Sequence, residues 1–102
     1  MENRRTHTFT FEQLCATTSL SSQTVIEIID HGIVDPEGSD LESWRFDAEM
    51  ISIAEKASRL HRDLEIDWSG IALALSLLDE VAQLRQENQH LRARLNRFLT
   101  GE

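Results

Sequence analysis

The side chains of this chain that could do chemistry are one cysteine, four histidines and 18 acids, and their spacing argues against catalysis. Cys15 lies in an apolar stretch, where a free cysteine is far more often a small buried hydrophobe than a nucleophile. His7, His31, His61 and His90 stand at no ligand spacing with Cys15 or with acids, so no metal site is expected. There is no glycine-rich phosphate loop and no acid/base pair with a suggested pocket. These residues point to no enzyme and no cofactor. What remains is charge itself. Lys plus Arg is 10 against 18 Asp plus Glu, a formal net charge of −8. That balance suits a basic partner and repels nucleic acid and anionic membrane.

The imbalance is concentrated between Leu20 and Met50. The acids there are Glu27, Asp30, Asp35, Glu37, Asp40, Glu42, Asp47 and Glu49, and the only fixed cation is Arg45, eight against one. Asp47 suits a helix cap, and Asp35 and Asp40 suit a turn. Glu27, Asp30, Glu37 and Glu42 have no such local use in the sequence. They are the candidate partner-binding residues, on the argument that an acidic face recognises a basic one.

The elements that must carry these groups can be read from one recurring device, a polar cap flanked by apolar residues that staple the chain's entry into a helix. Thr10 is flanked by Phe9 and Leu14 with Gln13 completing a capping box, Ser21 by Leu20 and Val25, Asp47 by Phe46 and Ile51, and Asp67 by Ile66 and Ile71. The implied helices run about 11–17, 22–31, 48–64 and 68–99. Gly32 suits the left-handed position that ends the second. The first two helices, joined by the short segment Thr18–Ser21, read as a helix-turn-helix. Ile33–Val34 and Ser43–Phe46 look like short strands around the polar loop Asp35–Glu42, which makes a wing. Ile51, Ala54, Ser58, His61 and Leu64 fall on one face of the third helix. Trp44 and Trp68 are expected in the core or at a joint, with Trp68 partly exposed if an interface forms there. The expected division is a head at 8–66 and a long helix at 67–99.

That long helix would extend roughly 48 Å. Its second half carries a seam at alternating spacings of four and three: Leu77, Val81, Leu84, Asn88, Leu91, Leu95 and Phe98. Leu77, Leu84, Leu91 and Phe98 occupy d, and Val81, Asn88 and Leu95 occupy a. A β-branched residue at a with leucine at d favours two strands, and one buried Asn at a fixes register. The expected partner along this seam is a second copy of the chain, giving a homodimer. Parallel pairing would set Glu80 against the partner's Arg85 and Glu87 against the partner's Arg92. Antiparallel pairing, common among winged regulators of this layout, stays open.

A helix-turn-helix with a wing invites a DNA-reading role, and charge decides against it. Affinity for DNA comes from Lys and Arg neutralising phosphates, typically six to ten in a tight binder. Arg4 and Arg5 could reach a phosphate each, but they cannot invert eight acids against one cation. No direct nucleic-acid binding is expected. The lone cysteine, the polar opening Met1–His7 and the lack of any run long enough to span a membrane lead to a cytoplasmic expectation.

The layout resembles a known family. Phe9–Phe11 entering a short helix, His31–Gly32–Ile33–Val34 and Pro36 closing the second, and Trp44–Arg45–Phe46 on the wing resemble the MerR-type winged fold. Asp67–Trp68–Ser69–Gly70–Ile71–Ala72, Leu77–Leu78–Asp79–Glu80, Leu84–Arg85–Gln86–Glu87–Asn88 and Leu91–Arg92 look more specifically like the chaperone-modulatory proteins of the CbpM type. The likeness covers about Phe9–Phe98. It implies a mainly α fold, a MerR-like winged helix-turn-helix head with a long C-terminal coiled-coil helix, in a bacterial protein. It also implies a partner, the J-domain of a DnaJ-like co-chaperone of the CbpA type. By occupying that domain, family members block its stimulation of DnaK and suppress the co-chaperone's own DNA binding. The alternatives are a MerR-like transcription regulator that binds DNA, and a zipper adaptor whose head is inert.

Overall fold

Each helix of the computed structural model, which describes residues 7–101, starts where a side-chain oxygen answers an otherwise unpaired backbone amide. Arg4 and Arg5, with the rest of Met1–Thr6, lie outside the described residues. Before α1 (Phe11–Thr18), Thr10 Oγ1 accepts from the Gln13 amide at 3.1 Å, while Gln13 Oε1 accepts from the Thr10 amide at 2.9 Å. Before α2 (Ser22–Asp30), Ser21 Oγ accepts from Thr24 at 3.1 Å. Asp47 opens α3 (Ala48–Leu64) by accepting from Met50 at 2.9 Å. Asp67 opens α4 (Trp68–Thr100) by accepting from Gly70, also at 2.9 Å. All four caps stand where the sequence places them.

The wing departs from expectation. Among the described residues there is no strand, only two isolated antiparallel bridges, Phe9 with Phe46 and Glu37 with Arg45. Ile33–Val34 does not pair with Ser43–Phe46, and the reason lies at the end of α2. Gly32 takes φ +73°, its amide donates to Ile29 O at 3.0 Å, and the Ile33 amide donates to Ile28 O at 3.1 Å. This double closure is a Schellman ending, and it uses up the amide that Ile33 would need for a ladder. Pro36 has no amide to offer. Phe46 instead pairs with the segment before α1, through bonds of 2.7 and 2.9 Å to Phe9.

Phe46, Leu14, Val25, Ile28 and Ile71 are fully buried, and with Ala54 and Ala57 they draw the core from α1, α2, α3 and the first turn of α4. Trp44 sits half-buried between Phe11 and Phe46, with ring centroids 6.0 and 6.3 Å away, in tilted and edge-on arrangements favoured by aromatic quadrupoles. The buried face of α3 is Ile51, Ala54 and Ala57; Ser58 and His61 are half-buried, and Leu64, expected on that face, is 54 % exposed. The helix ends there, with Glu65 in the left-handed region at φ +55°, which turns the chain before Leu64 can be covered. The described residues form two compact units, divided between Ala72 and Leu73. The first turn of α4 belongs to the first unit.

Trp68 is the residue that ties that turn down. It is 7 % exposed, a core residue at the joint, where the sequence places it. Its ring stacks on His61 of α3 with centroids 3.9 Å apart and planes 2° from parallel. Its indole N–H donates to Glu27 Oε1 of α2 at 2.9 Å. One side chain thus joins three helices. A partly buried hydrogen bond to a charged acceptor contributes about 1–2 kcal/mol. Glu27→Ala is therefore expected to cost that much in urea unfolding followed by tryptophan fluorescence. Glu27→Gln, which keeps an acceptor oxygen, should recover more than half of it; equal losses in the two variants would show that the bond contributes nothing specific.

Candidate partner-binding surface

The acids of the Leu20–Met50 segment divide by what their carboxylates do. Asp47 caps α3, and Asp40 accepts from the Ser43 amide at 3.0 Å within the wing. Glu27 is half-buried and holds Trp68. That use is invisible in the sequence because its partner is 41 positions away. Asp30 on α2, and Glu37 and Glu42 on the wing, are exposed. Among the described residues their carboxylates enter no hydrogen bond or ion pair; the ion pair found there is Arg62–Asp63, at 3.8 Å on the surface. Of the four candidate residues, three are exposed with no carboxylate partner among the described residues, and the fourth is shared with the fold.

The wing that carries two of them is pinned by Ser43, expected to open a strand and found instead at the centre of a turn. Ser43 Oγ accepts from the amides of Ser39 and Asp40, at 3.1 and 3.2 Å, and donates to Asp40 O at 3.1 Å. The Ser43 amide reaches Asp40 O at 3.0 Å and closes a four-residue turn. Below it, Glu37 and Arg45 exchange backbone bonds of 3.2 and 2.9 Å. Gly38, at φ +106°, passes so close to Ser43 that a Cβ there would lie 2.5 Å from its carbonyl oxygen. Only glycine fits.

The groups that might have carried other chemistry are placed differently. Cys15 is half-buried rather than in the core. Burial, and after it the charge of Glu12, push its thiol above the ordinary value, so the reactive thiolate is disfavoured. Among the described residues no three His, Cys, Asp or Glu side chains are grouped to hold a metal ion. Among the described residues no helix is long and apolar enough to cross a membrane. In the second unit the seam is open: Leu77, Leu84, Leu91 and Leu95 are between 51 and 58 % exposed, Val81 43 % and Phe98 80 %, with Asn88 exposed among them.

With this geometry in place, comparison with known proteins is specific. Residues 9–93 match the family described as MerR HTH family regulatory protein. A chaperone modulatory protein CbpM of Pseudomonas putida is 48 % identical over 86 residues, 84 % of this chain and 85 % of the relative. The protein of that name from Escherichia coli is 42 % identical over 94 residues, covering 92 and 93 % of the two chains. That from Salmonella arizonae is 40 % identical over 95 residues, covering 93 and 94 %. The mainly helical head and the long last helix agree with the fold class read from the sequence. The chain belongs to the MerR HTH family of regulatory proteins and, by near full-length similarity, to the chaperone modulatory protein CbpM family.

Proposed function

We propose that this protein is a chaperone modulator that binds the J-domain of a DnaJ-like co-chaperone of the CbpA type and inhibits its co-chaperone and DNA-binding activities. The observation that carries the reading is the exposed acid of the head, Asp30, Glu37 and Glu42, on a chain similar along most of its length to chaperone modulatory proteins. J-domains present a basic helix to DnaK, and an acidic head that covers this helix excludes DnaK both by charge and by bulk. The same acids oppose direct DNA binding, since a phosphate backbone would meet eight negative charges and one positive between Leu20 and Met50. The protein acts in the cytoplasm, alongside the chaperones it regulates.

The second part of the reading is self-association. Six large apolar side chains along one side of α4 are exposed, at the spacing of a two-stranded coil with a single Asn at an a position. A second copy covers this seam, and the two ends of the chain have separate tasks: 8–66 recognises the partner, and 67–99 pairs the protomers. Pairing sets Asn88 against its counterpart in a parallel dimer, and against a leucine layer in an antiparallel one.

Two outcomes test these statements. In a titration of the purified J-domain, Asp30→Lys or Glu42→Lys should weaken binding about fivefold each, and the parent affinity should fall steeply with salt. Binding indifferent to both reversal and salt, or a low-salt gel shift of DNA by the parent, would sink the acidic-head reading. Separately, the parent should sediment as a dimer and Leu84→Glu/Leu91→Glu as a monomer. A monomeric parent at about 50 μM would end the dimer proposal.

A further inference from the structure

The wing carries one feature that charge alone does not explain. Among the described residues before Leu64, Leu41 is the one large apolar side chain that is exposed, at 43 %. It occupies the second position of the turn Asp40–Ser43, directly between the acids Asp40 and Glu42. The turn is over-determined for a surface loop. Ser43 Oγ makes three hydrogen bonds, the Ser43 amide is shared between Asp40 O and Oδ1, and Gly38 leaves no room for a Cβ against Ser43. Residues 37–43 are all exposed, so these bonds enclose no core. What they hold in place is the turn's outward face.

We propose that Leu41 is the apolar anchor of the partner interface, presented on a turn already set in its binding shape. This rests on the reading that the acidic head binds a J-domain, and it names the contact that gives that interface more than charge. Interface energy concentrates in a few buried anchors, while surrounding polar contacts exclude water. Ordering a loop on binding is costly, and a turn fixed beforehand avoids the cost. The occupant that faces Leu41 is a basic protein surface with an apolar recess. The loop that carries it holds Asp35, Glu37, Asp40 and Glu42 with Arg45 its only cation, so a second copy of this wing would be repelled. A cationic helix whose basic side chains rim a shallow apolar groove meets both demands.

Titration of the full-length chain with the purified J-domain over a range of salt concentrations tests this. Leu41→Ala is expected to bind about tenfold more weakly, the loss of one anchor. It should keep the parent's salt slope, since no charge has been removed, whereas Glu42→Lys should flatten that slope. Leu41→Met, which conserves volume, should bind within about twofold of the parent. Ser43→Ala, which leaves Leu41 in place but frees the turn, should weaken binding about fivefold through lost pre-ordering. Thermal midpoints matching the parent's would show that each variant is folded. Leu41→Ala or Ser43→Ala binding at parent affinity would overturn the anchor while leaving the acidic-head reading intact. A parent chain that binds no J-domain would overturn both.

Discussion

A tryptophan at the first position of a long helix joins that helix to a body only if its ring is covered and its indole N–H is answered. Trp68 meets both conditions, with His61 against its face and Glu27 on its N–H. Without them a large ring and an orphan donor would be left at the edge of a unit of about 70 residues, where each element has few neighbours to lean on. Ile71, one turn on, is then fully buried, and α2, α3 and the start of α4 share one core. The same bond ties Glu27 to the fold. The exposed acids of the four candidates are the others, Asp30 at the end of α2 and Glu37 and Glu42 on the wing.

The head combines a helix-turn-helix shape with a strongly acidic composition. A helix-turn-helix places a second helix where it can enter a groove, and a wing beside it can follow a backbone. Here that helix carries Glu27 and Asp30, and the wing carries Glu37, Asp40 and Glu42 with a single Arg45. Shape gives the scaffold, and charge decides what may approach it. The wing has little sheet character among the described residues. Two isolated bridges hold it, and a serine-centred turn replaces the ladder that a longer hairpin would supply.

The distal part of α4 poses a different physical problem. Helices gain most of their stability from packing of an apolar face. From Ser76 onward every described residue of α4 is exposed, including the leucines of the seam. A stripe of that length left in water carries an unfavourable hydration cost that only covering by other apolar surface removes. The regular four-and-three spacing and the single Asn make another helix the natural cover.

The local devices were legible in the residues alone. Thr10, Ser21, Asp47 and Asp67 cap their helices through side-chain oxygens three residues from the amides they meet, and Gly32 takes the left-handed conformation, because both depend only on neighbours in the chain. The seam of α4 and the acidic excess of the head are likewise patterns of residue type, and family membership follows from residues spread along nearly the whole chain. Tertiary structure decided the rest. Ile33 could not be known to lack a free amide until the end of α2 had closed on it, and Phe46 found Phe9 instead. Leu64 lost its expected cover because the chain turned at Glu65. Glu27 read as one acid among eight until Trp68 arrived from 41 positions away, and Ser43 as the start of a strand until the wing folded around it. Bonds between residues near in sequence are written in the order of the side chains; the use made of a carboxylate or hydroxyl by distant groups is settled only when packing brings those groups within about 3 Å.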